Sequence, residues 1–333
     1  MLSAVVIIVV FLIVVAWHEF GHFIMAKLSG VLVNEFSIGM GPTIYSKKKN
    51  ETLYSIRALP LGGFVSLDGE EEQSENVRSF HNAPLHKRAL IIVSGALMNF
   101  ILGFLVLLLL VGVRGKEVPI IAQFTDESPA YVAGLETGDH ILKLNGHEID
   151  TWQDVLEEMS QNHGETVQVT VQRHEEEKNV SVEPIESEGR YVIGIYPSMA
   201  RVSVAELFST AASTFGAMFM SLIEFLRMAL RGKVSMGDVS GPIGVATILA
   251  EAAHRGLIDI LFWLAYININ LGVINLLPIP ALDGGKLLFI AAEAISGKKI
   301  PVEKEASVHF IGFILLIGVM LMATYQDVMK LIR

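Results

Sequence analysis

The sequence predicts a multi-pass α-helical membrane protein with four transmembrane helices, a membrane-associated β-hairpin or sheet, and one α/β domain inserted outside the bilayer. Three observations predict it. The 333 residues are 52% hydrophobic and their mean hydropathy is positive, too apolar for an ordinary soluble chain. Apolar residues gather into four runs near spanning length, at about 2–25, 89–113, 257–281 and 307–324. Charge gathers between the second and third: residues 114–200 hold six Lys/Arg against seventeen Asp/Glu, in a chain of net charge −10. There is no cysteine, which excludes disulfides and thiolate metal sites, and no basic stripe that would suit nucleic acid.

Residues 1–26 make the first span. Leu2 to Trp17 is sixteen residues with Ser3 as the only polar one. The run lacks the basic flank and small-residue cleavage site of a signal peptide, so it is expected to be retained. It ends in His18, Glu19, Phe20, Gly21 and His22, an H-E-x-x-H pattern. Two imidazoles four residues apart on one helix face can share a Zn²⁺, and the intervening glutamate is placed to act on water at the metal.

Residues 27–88 carry eight Lys/Arg, several close to the helix ends, which assigns this loop to the cytoplasm and residues 114–200 to the outside. Phe36, Ile38, Ile44, Tyr45, Leu53, Tyr54 and Ile56 sit among turn signals at 39–42, 49–50 and 59–63, the pattern of β-structure. It reads as a small cytoplasmic hairpin or as a sheet dipping into the interface with a free edge, able to take an extended peptide by strand addition. Residues 89–113, free of charge, are the clearest span.

The external segment 114–200 begins with a strand, a short helix after Ser128-Pro129 and a Gly138-Asp139 turn. A strand over 141–144, a helix over 151–161 and alternating strands around Val167 to Val171 and Val180 to Val182 follow. Glu175-Glu176-Glu177 reads as a solvated turn. In residues 201–256, apolar positions from Val204 to Ala229 recur at helical spacing with Glu206, Ser209, Ser213, Ser221 and Glu224 largely on the other side, predicting an amphipathic interfacial helix rather than a span. Counting it as a span would move Lys286, Lys298, Lys299 and Lys304 outside.

The third span, 257–285, holds Asn268, Asn270, Asn275 and Asp283, polar groups that are expensive in lipid and mark function by default. Pro278 and Pro280 interrupt its helix and Gly284-Gly285 let the backbone turn, so non-helical chain lies at membrane depth, tolerated only where protein or a water cavity covers it. Asp283 nears the inner end of this span as His18 and His22 near that of the first, which makes Asp283 a candidate third metal ligand. Residues 286–306 form a cytoplasmic loop and 307–333 the fourth span. Asn99 suits either interhelical contact or the site.

Residues 128–146 closely resemble a PDZ domain of the permuted kind found in bacterial envelope proteins. Together with His18–His22, Ser240-Gly241-Pro242-Ile243-Gly244, Leu59–Phe64 and the Asn275–Gly285 stretch, nearly the whole chain resembles the site-2 protease family (peptidase M50) of intramembrane zinc metalloproteases. In plan it is similar to the bacterial RseP/RasP type with a single PDZ domain. Ala96, where proline is frequent, Asn268, where serine often stands, and the short chain depart from that pattern. The resemblance implies one Zn²⁺ per chain held by His18, His22 and Asp283, with Glu19 as catalytic acid/base. It implies substrate or transition-state contacts at Asn270, Asn275, Pro278, Pro280, Gly62 and Gly63. It also implies a bacterial cytoplasmic membrane and single-span substrates such as anti-sigma factors or signal-peptide remnants. An upstream site-1 protease would trim these first, with the PDZ domain as a size filter.

Two readings of the residues remain beside this one. The chain could be a non-catalytic membrane scaffold or chaperone working through its external domain, or an H-E-x-x-H membrane protease whose third ligand is a glutamate. A transporter is disfavoured because one span alone is visibly broken and no internal repeat occurs.

Overall fold

Helix α1 (Leu2–Ser29) is apolar around its whole circumference until His18, as a helix surrounded by lipid and protein must be, and its 28 residues reach about 42 Å. Gly30, with φ of 78°, ends it in a Schellman motif: the N–H of Val31 bonds to Ala26 O at 3.0 Å and that of Gly30 to Lys27 O at 3.2 Å. The chain, seen as a computed structural model, is described for residues 2–332 apart from 71, 188, 235, 236 and 238, with side chains at all of these except 61, 331 and 332. It divides into two units, Met1–Leu110 with Ala211–Arg333, and Val111–Thr210.

In the first unit, α1 leads into β1 (Val33–Lys49) and β2 (Thr52–Leu67), which pair antiparallel and each bend midway. Residues 35–38 pair with 63–66 on one side and with 53–56 on the other, while 43–49 pair with 52–57. The result is a four-segment sheet with 43–49 and 63–67 as its outer segments. Gly63 cannot carry a side chain, since a Cβ there would lie 2.6 Å from Ser37 O across the ladder, and Gly62 turns with φ of 86°.

Helices α2 (Leu85–Arg114), α5 (Val204–Leu230), α6 (Pro242–Arg255), α7 (Leu257–Asn275), α8 (Asp283–Ser296) and α9 (Val302–Ile332) complete the helical part. Val10, Val14, Leu107, Ala211, Leu249, Ala265 and Ile269 bury one core among α1, α2, α5, α6 and α7. Ala26, Val33, Leu67, Ile91 and Ile290 bury a second between the end of α1, the sheet, α2 and α8. Close helix approach runs through glycine: a Cβ on Gly21 would meet the Ser94 backbone, one on Gly103 would lie 2.9 Å from Ile269, and one on Gly272 2.8 Å from Phe100 Cδ1. Arg88, 1% exposed, bonds to Glu293 Oε2 at 2.5 Å, while Glu293 Oε1 accepts from Ile300 N–H at 2.8 Å. That buried pair fastens the end of α8 to the start of α2.

Five described helices, not four, are long and apolar enough to cross a membrane by length and composition. The additional one is α5, whose Phe215 and Phe219 pack on Phe100 and Phe104 of α2. α6 carries the Gly241–Gly244 motif at its start: Asp327 of α9 accepts from Gly244 N–H at 2.8 Å, and a Cβ on Gly241 would lie 2.7 Å from that carboxylate. At the other end of α6, His254 meets Ser3 of α1 at 3.3 Å.

The second unit is a sheet of order β10-β3-β4-β6-β7, from β3 (Lys116–Phe124), β4 (His140–Leu144), β6 (Val167–Arg173), β7 (Glu176–Val182) and β10 (Ile195–Ala200), with β5 (His147–Glu148) on β4. The short helix α3 (Pro129–Val132) and α4 (Trp152–Ser160), the latter opened by a Thr151–Asp154 capping box, cover a core of Ile121, Leu135, Ile141, Leu144 and Val169. β8 (Ile185–Ser187) and β9 (Arg190–Val192) form a separate pair. The expected turn at 175–177 is shorter than read. His174 and Glu175 make it with positive φ, and Glu176 and Glu177 already belong to β7, where they pair with Arg173 and Gln172. Burial alone would raise the Asp139 carboxyl, yet the Arg173 guanidinium and the Glu136 N–H that donate to it hold it below the ordinary carboxylate range.

Candidate active site

The site forms where α1, α2 and the start of α8 meet. Four-residue spacing on α1 puts His18 and His22 on one face, with their Nε2 atoms 3.1 Å apart. Asp283 is the first residue of α8, and its Oδ2 stands 3.2 Å from His18 Nε2 and 3.4 Å from His22 Nε2. What brings it there is the break at 276–282. α7 ends at Asn275, Pro278 and Pro280 forbid its continuation, and Ala281 takes φ of 76°, rare for a residue with a side chain.

These three donors suit a metal. A tetrahedron with bonds of about 2.0–2.1 Å has edges of about 3.3–3.4 Å, close to the three separations above. Asp283 Oδ2 is buried and accepts no hydrogen bond, a costly state for a carboxylate oxygen unless a cation completes it. His22 Nδ1, on the far side of its ring, donates to Ile91 O of α2 at 2.8 Å. Gly95 of α2 leaves the space beside the rings open: a Cβ there would collide with His22 Nε2 and lie 2.7 Å from His18 Cε1.

Glu19, His18, His22, Asp283, Val65 and Lys286 are among the residues lining a cavity of about 200 Å³. Val65 N–H points outward from the outer segment 63–67 and donates to Glu19 Oε2 at 3.0 Å. A second cavity, about 530 Å³, shares Phe64, Val65, Leu67 and Glu70 with the first and continues along the chain to Ser74. Lys286 Nζ bonds to Glu70 Oε1 at 2.5 Å across the shared wall.

Of the sequence candidates, His18, Glu19, His22 and Asp283 come together. Asn275 joins them, its Nδ2 lying 3.4 Å from His18 Nδ1 and 3.5 Å from His18 Nε2. Asn270 does not share the hydrogen bonding of the ligand set, its Oδ1 being buried without a partner. Gly62 and Gly63 shape the sheet and stand outside the cavity wall, which Phe64, Val65 and Leu67 supply instead. Pro278 and Pro280 act by interrupting helix, and Pro280 abuts Gly312 of α9, where a Cβ would lie 2.5 Å from its carbonyl.

Sequence reasoning passed over His309. Its Nδ1 accepts from Ala281 N–H at 2.9 Å, so a histidine from α9 holds the strained residue two before Asp283. Glu303, Lys304, Glu305 and Ser307 precede His309 in α9, so the sequence around it gave no signal that set it apart. His309→Leu is expected to lower the apparent melting temperature of the detergent-purified protein, since it leaves a part-buried N–H without its acceptor, at a cost of up to about 1–3 kcal/mol. His309→Asn, which keeps an acceptor, should recover part of it. Equal melting of all three proteins would show that the loop holds itself.

The sequence profile of peptidase family M50 matches residues 6–319. The chain is 38% identical over 330 residues to a Clostridium acetobutylicum protein provisionally named a zinc metalloprotease, covering 98% of this chain and 97% of the other. It is 31% identical over 413 residues to the zinc metalloprotease RasP of Geobacillus kaustophilus, covering 98% of each. It is 31% identical over 416 residues to the regulator of sigma-W protease RasP of Bacillus subtilis, covering 99% of each. Among solved structures, the PDZ domain of an SdrC-like protein from Listeria innocua covers 26% of this chain and 97% of its own length, at 21% identity and a TM-score of 0.22.

Proposed function

This chain belongs to peptidase family M50, and from that premise we propose that it hydrolyses peptide bonds within membrane-spanning segments of other proteins, with one Zn²⁺ held by His18, His22 and Asp283. One observation carries the reading: Asp283, more than 250 residues from the histidines, brings an otherwise unpartnered Oδ2 to 3.2 and 3.4 Å from their Nε2 atoms, beside Glu19. Zinc there would supply Lewis acidity, polarising a carbonyl and lowering the pKa of water. Glu19 takes the proton from the attacking water and passes it to the leaving amine. Asn275, at the ligand cluster, is the better placed of the two asparagines to donate to the developing oxyanion.

A transmembrane helix hides its carbonyls, so the substrate must unwind and find replacement backbone partners. The outer segment 63–67 offers them, and Val65 N–H already points at Glu19. A substrate strand added there would take that N–H and free the Glu19 carboxylate for proton transfer.

Single-span membrane proteins are the substrate class proposed. Anti-sigma factors come first, because the Bacillus subtilis relative is named a regulator of sigma-W, and remnant signal peptides second. The external unit is proposed as a PDZ domain on the order of its elements, admitting substrates that another protease has trimmed. A bacterial cytoplasmic membrane is the placement proposed, from the bacterial relatives, and the Lys/Arg-rich loop 27–88 supports a site toward the cytoplasm. Four spans remain the topology proposed, with α5 leaning into the bilayer against Phe100 and Phe104 of α2 and not crossing it in full. The seven residues from Leu230 to Gly237 reach about 25 Å at most, and Gly237 O accepts from Lys330 near the end of α9. A full crossing of about 30 Å by α5 would strain that return.

Asp283→Ala tests the reading. Purified protein should contain about one zinc per chain, whereas the variant should lose both metal and cleavage of a single-span substrate. Full zinc content in Asp283→Ala would overturn the ligand set. Zinc without proteolysis in the unaltered protein would favour the scaffold.

A further inference from the structure

His22 and His18 are not served alike on the sides of their rings that face away from the metal-ligand set. His22 Nδ1 donates to Ile91 O, a backbone acceptor that accounts for it fully. His18 Nδ1 meets the Asn99 side-chain amide at 3.2 Å. Asn99 is 0% exposed, and its Oδ1 is buried with no donor in reach. Asn275 Nδ2 stands at 3.4 and 3.5 Å from the two nitrogens of the same ring, nearly equidistant, so it is not aligned with the Nδ1–H direction.

The three α2 positions involved are 91, 95 and 99, four residues apart and therefore on one face of the helix. Opposite them on α1 stand His22 and His18, also four apart. Ile91 answers His22, Gly95 leaves room between, and Asn99 answers His18. An imidazole that binds metal through Nε2 carries its proton on Nδ1, which needs an acceptor to fix the tautomer and the ring plane. Drawn with Nδ2 toward the ring, the amide would set donor against donor. Oxygen and nitrogen of an amide are distinguished only by their partners, and turning this one over converts the clash into a hydrogen bond.

We propose that Asn99 is a positioning residue for the metal: its Oδ1 accepts from His18 Nδ1–H, fixing the tautomer and orientation of that ligand. This rests on the reading of His18 as a ligand given above. α2 then supplies the outer support of both histidines, from a backbone carbonyl for one and from Asn99 for the other.

The test is zinc affinity of the full-length purified protein, measured by competition with a chelator of known affinity, alongside the absorption spectrum of the cobalt-substituted form. Asn99→Leu, similar in size but without an acceptor, should bind zinc about 10–100-fold more weakly. Asn99→Asp should stay within a few-fold of the unaltered protein. Asn99→Ala replaces the leucine variant if that fails to fold. Unchanged affinity in the variant lacking an acceptor overturns the proposal, as does an equal loss in Asn99→Leu and Asn99→Asp, which would mark a packing role. Failure of the underlying site is separate and visible: Asp283→Ala would then bind zinc as the unaltered protein does.

Discussion

Glu19→Gln is expected to lower peptide-bond cleavage by about 10²–10⁴-fold while leaving zinc content unchanged. The prediction separates two jobs that H-E-x-x-H merges. Glu19 is absent from the set of converging donors, which is His18, His22 and Asp283, so its replacement leaves the ligand set whole. Nor should the sheet, because the glutamine oxygen can still accept from Val65 N–H. What disappears is the ability to take a proton from water and return it to the amine. Cleavage of a single-span substrate in detergent or vesicles, with zinc measured on the same preparation, checks it. Substrates trapped uncleaved should co-purify with the variant. Cleavage at the unaltered rate would sink the assignment of Glu19 and return the scaffold reading to favour.

Gly95→Ala should abolish tight zinc binding, though by helix propensity alone it ought to stabilise the protein by about 1 kcal/mol. A Cβ at this position would collide with His22 Nε2 and come within 2.6 Å of His22 Cε1 and 2.7 Å of His18 Cε1. Both rings would have to turn, and His22 could do so only by surrendering its bond to Ile91 O. The expected loss of affinity exceeds the 10–100-fold typical of removing an outer partner, since here the ligands themselves are displaced. Gly318→Ala in α9 is the control: nothing lies within 4 Å of a Cβ there, so metal binding and activity should be unaffected. Unaltered zinc affinity in Gly95→Ala would mean that α1 and α2 separate more readily than their packing suggests.

Much of the site was legible because its chemistry is local in sequence. The two histidines need helical spacing and nothing more, and Asp283 announced itself through the cost of an acid, three asparagines and two prolines in an apolar run. The sheet was legible too, from alternation and glycine turns, but not its fold-back into four segments or which residue would face Glu19. Gly62 and Gly63 drew notice as motif residues, whereas contact falls to Val65, whose side chain says nothing and whose N–H does the contacting. Asn99 was undecided between two roles because a helix face has no absolute direction until a partner is packed on it. His309 was missed because its function is to satisfy a backbone N–H 28 residues away.

By itself, then, the sequence determined the apolar helices, the inserted α/β unit, the family resemblance and the candidate donors, since hydropathy, spacing and residue chemistry are written along the chain. Only the tertiary structure decided that these donors meet at about the edge length of a zinc tetrahedron, that α2 supports both histidine rings, and that a sheet edge lies against Glu19. Such facts depend on where one element's backbone stands against another's, and glycines at 21, 95, 103 and 272 set those approaches by what they lack.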